Sequence, residues 1–131
     1  MSISRDLVSN MSVVASLAPK ARTASENGAG VDLRDYRSAA VVVVAGAITD
    51  GTHTIEIQDS ADNSTFAAVA SAYLQGTEPV LDTNDDDSLV SIGYIGGKRY
   101  IRVISTVAEA TTGGVYAALV VRGRPVSGPV S

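Results

Sequence analysis

The sequence AAVVVVAGA at residues 39–47, followed by TDGT at 49–52 and HTIEIQ at 53–58, decides the fold. The first segment is a continuous run of small and β-branched apolar residues, which is typical of a β-strand covered on both faces. The Asp50-Gly51 pair in the second segment is a strong signal for a tight β-hairpin turn. The third segment alternates apolar and polar residues, as a half-buried strand does. Together they predict two long strands joined by a tight turn.

Further strands are predicted toward the C-terminus. Residues 89–95, 99–107 and 115–122 are rich in residues that favour extended structure. Clusters of Gly, Asp, Asn and Ser separate the strands at intervals of roughly 8–12 residues, which is the spacing of an all-β sandwich or barrel. The expected fold is therefore an all-β, antiparallel β-sandwich. The sequence leaves open whether its topology is jelly-roll or immunoglobulin-like.

The two ends of the chain differ from its middle. Residues 1–26 are predicted to form an extended N-terminal arm, because their apolar residues fit a strand or arm slightly better than a helix. Residues 27–124 are the predicted β-sandwich domain. Residues 125–131 are predicted to be a C-terminal tail, because Pro125 and Pro129 cannot continue a helix or a central strand.

Composition narrows the class of partner. The chain has 131 residues, a formal net charge of −4, no cysteine, no tryptophan and one histidine. A chain of this length can fold around one core without a metal or a disulfide. Its negative charge argues against binding nucleic acid. It contains neither an apolar run long enough for a membrane span nor the apolar centre of a signal peptide. We therefore expect no nucleic acid and no membrane as partners, and a protein that stays in the cytoplasm of the cell that makes it.

Three segments contain residue types that could support chemistry. The loop at residues 82–87 (DTNDDD) matches the first ligand spacings of a calcium site but lacks its glycine and glutamate, so a solvated loop is expected and a cation there stays open. The segment at 93–99 (GYIGGKR) lacks the pattern of a phosphate-binding loop and is predicted to be a hairpin turn. His53 is expected to be a partly buried histidine with a local hydrogen bond, since no serine-nucleophile motif accompanies it. The sequence thus predicts no catalytic residue, cofactor or metal, and no enzyme.

Residues 28–124 also resemble a family of small proteins encoded beside the head genes of tailed bacteriophages. The segments that carry the resemblance are turn and strand motifs: GVDL at 30–33 with Tyr36 and Ser38-Ala39, GAITDGTH at 46–53, IQDSADNSTF at 57–66, GYIGGKRYIRV at 93–103 and TTGGVY at 111–116. The resemblance implies a virion structural component, and specifically a head decoration or cement protein. The implied location is the capsid surface of the virion.

An interface can be suggested from the residues themselves. Val13, Val14 and Leu17 could add a strand to the sheet edge of a neighbouring subunit. Arg122 and Arg124 could pair with carboxylates across an interface. The expected partners are the major capsid protein and copies of the chain itself, as a homodimer or trimer.

Two other functions stay open on the sequence alone. One is a structural role in the tail or baseplate of the same particle. The other is a carbohydrate-binding β-sandwich module, in which exposed tyrosine rings would have to form the sugar platform, because tryptophan is absent.

Overall fold

The computed structural model describes residues 6–125, which fold into two antiparallel β-sheets packed face to face. This confirms the predicted all-β, antiparallel sandwich. Within these residues the helical structure consists of two 3₁₀ turns, Ser71–Tyr73 and Thr83–Asp85. In chain order the strands are β1 (Met11–Arg22), β2 (Glu26–Asn27), β3 (Val31–Asp32), β4 (Tyr36–Ile48), β5 (Thr52–Ser60), β6 (Ala67–Ala68), β7 (Leu74–Gln75), β8 (Val80–Leu81), β9 (Leu89–Tyr94), β10 (Tyr100–Ala108) and β11 (Gly114–Pro125).

Six long strands make up most of the two sheets. The first sheet has the order β1-β11-β4-β9-β7, so the β-branched run of β4 lies at its centre. The second sheet has the order β2-β10-β5-β6, and β3 and β8 add short pairs to β10 and β5. The strands β2, β3, β6, β7 and β8 have two residues each. The first sheet therefore consists almost entirely of four long neighbouring strands, β1, β11, β4 and β9.

The tight turns connect the two sheets instead of forming hairpins. Asp50-Gly51 lies between β4 and β5, and residues 95–99 lie between β9 and β10. In both cases the first strand belongs to the first sheet and the second strand to the second sheet. Both hairpin predictions are therefore wrong, although each turn lies where the sequence placed it. Gly51 has a φ of +85°, a conformation that glycine adopts without steric cost. The Asp50 carboxylate accepts hydrogen bonds from the backbone N–H groups of residues 111–113, which joins two crossover turns.

The core lies between the sheets and consists mainly of aliphatic side chains from alternate strand positions. Val41 and Val43 of the first sheet face Ile55 and Ile57 of the second sheet's central strand, and all four are almost completely buried. Each such side chain contributes about 1.5–3 kcal/mol when it is removed from water. Tyr116, also buried, adds bulk to a core that has no tryptophan.

The predicted N-terminal arm is in large part a strand of the sandwich. Residues 11–22 form β1, which pairs with β11 from Met11 opposite Gly123 to Arg22 opposite Gly114. Leu17 is 0% exposed and belongs to the core. The prediction of a separate arm over residues 1–26 is therefore wrong for this stretch, because its apolar side chains complete the core of the first sheet. Pro125, the first residue of the predicted tail, is the last residue of β11 and lies opposite Tyr36, so the strand continues one residue into the predicted tail. Residues 1–5 of the predicted arm and residues 126–131 of the predicted tail lie outside the described residues.

Candidate interaction surface

The outer face of the first sheet is apolar. In β4, Val41 and Val43 point into the core, whereas Ala40, Val42 and Val44 alternate with them and point outward. The strand register places three rows of outward residues side by side on β1, β11, β4 and β9. We call these nine residues the outer-face patch: Val13, Ala15, Ala40, Val42, Val44, Leu89, Ala117, Leu119 and Val121. None of the nine carries a charge or a hydrogen-bonding side chain, although Ala117 is largely covered by its neighbours. Ser91 and Gly93 complete the rows on β9, so the one hydroxyl among these rows is that of Ser91.

The second sheet shows what an ordinary solvated face looks like in this chain. Its central strand β5 points Thr54, Glu56 and Gln58 outward, and β10 points Arg102 and Thr106 outward beside them. Antiparallel sheets commonly have one face on the core and one polar face in water. The second sheet follows this rule and the first sheet does not. The sequence predicts that the run at residues 39–47 is covered on both faces, whereas residues 6–125 cover one face.

The size of the outer-face patch follows from sheet geometry. Four strands about 4.8 Å apart and same-face residues about 6.8 Å apart give a patch of roughly 20 Å by 20 Å, or about 400 Å². Within it Val13, Val44 and Leu89 are 47%, 40% and 67% exposed. Contiguous apolar patches of this size on a monomer are often binding surfaces. The patch is therefore the strongest candidate for contact with another protein.

The strand β1 adds an open sheet edge to the same surface. It has 12 residues, whereas the strands at the other edges described in residues 6–125 have two each. Its second half is guarded against further pairing by Pro19, Lys20 and two register shifts between Ala15 and Lys20. Residues 11–15 contain no proline, no charge and no register shift. This half of the edge can accept an additional strand.

The structure separates the five residues that the sequence suggested for an interface. Val13 lies in the outer-face patch, whereas Val14 is half-buried and packs against the core. Leu17 is fully buried, so its suggested contact with a neighbour is wrong. Arg122 is half-buried and donates hydrogen bonds to the Asp32 carbonyl oxygen (2.8 Å) and the Ser12 hydroxyl (2.6 Å), which secures the start of β1. Arg124 is exposed at the end of β11.

A basic groove lies at one end of the sandwich. It is formed by the turns at residues 33–37 and 95–99 and has a volume of about 300 Å³. Its lining includes four cations and two tyrosines: Arg34, Arg37, Lys98, Arg99, Tyr36 and Tyr94. Arg99 forms a two-pronged ion pair with Asp32 (2.9 and 2.8 Å). No carboxylate of the described residues lies within ion-pair distance of Arg34, Arg37 or Lys98. The groove therefore presents unpaired positive charge in a protein of negative net charge.

The ion pair at this groove makes stability depend on pH. Hydrogen bonds from Arg99 hold the pKa of Asp32 at about 2, below its ordinary value of 3.8. Because the folded-state pKa is depressed, the stabilisation is present above about pH 4 and is lost as the pH falls through 2. We expect the difference in unfolding free energy between the wild type and Asp32→Asn to be constant above pH 5 and to shrink toward pH 2. The effect is small, since both side chains are partly exposed.

Urea titrations at a series of pH values measure this difference. The control is the same substitution in an Arg99→Gln background, where the pH dependence assigned to the ion pair should disappear. An unchanged pH dependence in that background would show that Arg99 does not lower the pKa of Asp32.

The one histidine is part of a buried polar network. His53 is 0% exposed, and its Nδ1 lies 2.9 Å from the Tyr116 hydroxyl, which also bonds to the Ser105 hydroxyl. The His53 Nε2 lies 3.1 Å from the Asp50 carbonyl oxygen. Burial raises the pKa of Tyr116. Solvent does not reach these three side chains, so the network satisfies polar groups of the core and presents none of them to a substrate.

The acidic loop at residues 82–87 uses its carboxylates to fix its own backbone. Asp82 accepts a hydrogen bond from the Asn84 N–H, and Asp85 accepts one from the Asp82 N–H (both 2.9 Å), so the loop forms a capping box. Asp86 accepts a hydrogen bond from the Ile48 N–H at 2.7 Å, which fastens the loop to β4. Among residues 6–125 no group of three or more metal-ligating side chains is positioned to hold an ion.

Two further findings bear on the alternatives. Tyr94 and Tyr116 are buried at 5% and 1% exposure, so neither ring can serve as a sugar platform. In the described part of the chain no helix is long and apolar enough to cross a membrane.

Comparison with known proteins gives one informative match. No protein-family model matches the chain, and no curated protein matches it. The crystal structure of SPBc2 prophage-derived protein YomS has the same fold, with a TM-score of 0.54 and 17% sequence identity. The match covers 87% of this chain and 94% of that chain. The sandwich described above is thus also the fold of a prophage-derived protein.

Proposed function

We propose that the chain is a structural protein of a bacteriophage particle, and specifically a decoration or cement protein that binds the head. The observation that carries the proposal is the outer-face patch, a charge-free part of a sheet face that residues 6–125 leave uncovered. A structural protein whose task is to pack against other subunits needs such a face. The fold shared with a prophage-derived protein and the sequence resemblance of residues 28–124 both support a phage setting.

The size of the patch indicates how binding would work. Pressing it against a capsid subunit buries about 800 Å² in total, counting both partners, which is below the 1,200 Å² of an ordinary stable complex. A single contact of this size is weak. On a capsid the same contact repeats many times, and additional contacts between neighbouring copies raise the effective affinity. A cement protein of this kind therefore binds as a lattice of mutually supporting copies.

A lysine placed in the patch tests this role. Val44→Lys puts a charge inside the proposed contact, in the row of the patch that also holds Leu89, and burying an unpaired ammonium costs several kcal/mol. We expect its binding to capsids assembled without the protein to fall by about tenfold or more, since each 1.4 kcal/mol corresponds to tenfold. Co-sedimentation with such capsids measures the loss.

The matched control is Val80→Lys. Val80 is also a strand valine and is 51% exposed, but it lies in β8 of the second sheet. Its lysine variant should bind capsids as the wild type does. Equal binding by Val44→Lys, with its thermal unfolding unchanged, would reject the patch as the capsid-binding surface. Binding of the wild type to purified tails, and not to capsids, would assign the chain to the tail instead.

A further inference from the structure

The two ends of the sandwich carry segments of opposite charge. The basic groove lies at the end where β9 passes into β10, and residues 33–37 and 95–99 there carry four cations and one carboxylate. Two further carboxylates lie beside them, Asp32 in its ion pair with Arg99 and Asp59 as the acceptor of the Tyr94 hydroxyl. The acidic loop at 82–87 lies at the opposite end, because its Asp86 bonds to Ile48 at the far end of β4. This loop carries four carboxylates, and no lysine or arginine occurs between residues 76 and 97.

The two ends are too far apart to neutralise each other within one chain. β4 has 13 residues and connects them, and at about 3.3 Å per residue this gives a separation on the order of 40 Å. The Debye length at physiological ionic strength is only about 8 Å. Opposite charges at the two ends therefore attract only when the ends of two different molecules meet.

Both ends are preformed for such a contact. The acidic loop is held rigid by its capping box and by the bond from Ile48, while Asp86 and Asp87 stay exposed. The basic groove is concave, and the guanidinium groups of Arg34 and Arg37 have no carboxylate partner among residues 6–125. Guanidinium groups bind carboxylates through paired hydrogen bonds. The acidic loop and the concave basic groove of one chain are complementary in charge.

We propose that the acidic loop of one copy docks into the basic groove of the next copy. The contact is heterologous, since each copy contributes a different surface to each of its two neighbours, and repetition generates a ring or a row of subunits. It would supply the contacts between neighbouring copies that a weak capsid contact requires. The contact uses no residue of the outer-face patch and does not use the open edge of β1. The test of this contact is therefore independent of the test of capsid binding.

Sedimentation velocity of the full-length protein tests the contact, because an interaction between exposed charges is screened by salt. We expect concentration-dependent association at 50 mM salt that is lost at 500 mM salt. Two variants each remove one side of the contact. The groove variant is Arg37→Glu with Lys98→Glu. The loop variant is Asn84→Lys with Asp87→Lys, which leaves the backbone caps of Asp82, Asp85 and Asp86 in place.

Each variant alone should sediment as a monomer at low salt. An equimolar mixture retains one intact contact, between the loop of the groove variant and the groove of the loop variant. It should therefore form 1:1 complexes and nothing larger. Glu56→Lys, which changes a charge on the outer face of the second sheet, is the control and should associate as the wild type does.

The proposal is overturned if the wild type stays monomeric at low salt, or if the mixture of the two variants contains only monomers. It is equally overturned if association survives both charge changes and is lost in Val44→Lys, because the outer-face patch would then join the copies. Thermal unfolding of each variant confirms that it is folded before its association is interpreted.

Discussion

Replacing Leu17 by alanine is expected to lower the free energy of unfolding by about 3 kcal/mol, within the usual range of 2–5 kcal/mol for a buried leucine. Leu17 is fully buried in the core of the first sheet, on the strand β1. The substitution removes three heavy atoms from that core and leaves a cavity between β1 and the second sheet. Urea or thermal unfolding of the purified protein measures the loss.

Val13→Ala is the matched control for this substitution. Val13 lies on the same strand four residues earlier, but it is 47% exposed on the outer face. We expect its replacement to change stability by less than about 1 kcal/mol, as surface substitutions usually do. Similar small effects at both positions would show that β1 is not an integral strand of the folded chain. The expected contrast also means that deleting residues 1–17 unfolds the protein and cannot by itself test an interface.

Arg22→Met is expected to destabilise the fold by roughly 3 kcal/mol, because it leaves buried polar groups without partners. Arg22 is only 2% exposed, and its guanidinium donates hydrogen bonds to the backbone carbonyls of Ala18, Lys20 and Tyr116 and to the Glu26 carboxylate. It also lies over the Tyr116 ring, 4.9 Å from its centre. The arginine thus satisfies the carbonyls that the irregular second half of β1 leaves unpaired.

Lys20→Met gives the comparison for Arg22. Lys20 contacts the same Glu26 carboxylate at 3.1 Å, but its side chain is mostly exposed. An exposed ion pair contributes about 0–1 kcal/mol, so this variant should unfold nearly as the wild type does. The difference between the two variants isolates the buried carbonyl contacts. If Arg22→Met were as stable as Lys20→Met, those contacts would make no net contribution to the free energy of unfolding.

The strands and the sandwich could be predicted from sequence because their signals are local. The run at residues 39–47 and the alternation at 53–58 both specify extended structure, and the alternation also specifies which side chains of its strand face the core. The partner of each strand is not a local property. Asp50-Gly51 marks a tight turn, but the same two residues can reverse a strand within one sheet or pass it to the other sheet. The hairpin predictions failed for this reason.

The role of residues 11–22 was missed for a related reason. The apolar residues at the start of the chain fit both a helix and a strand, and no local signal shows that residues 11–22 pair with β11, about a hundred positions away in the sequence. In the structure, register shifts accommodate Pro19 on an edge strand, where a missing N–H costs no ladder hydrogen bond. Burial of a charged residue such as Arg22 had no signal in the sequence apart from Glu26 four residues later. Its main partners are carbonyl oxygens, which every residue has.

The outer-face patch is recognised only when the sequence of β4 is compared with the structure. The composition of β4 predicts cover on both faces, and among residues 6–125 the fold supplies cover on one face only. This difference is the basis of the proposed contact with a second protein, whose identity the residues do not encode. The basic groove could not have been predicted, because Arg37 and Lys98 are 61 positions apart in the sequence and meet only at the end of the folded sandwich.

The most direct test of the account is a cryo-electron microscopy reconstruction of the phage particle produced from the genome that encodes this chain. The account predicts density for the sandwich on the outside of the head, with the face that carries Val42, Val44 and Leu119 turned toward a capsid subunit and excluded from solvent. Density that shows this face open to water, or a particle that lacks the chain altogether, would contradict it.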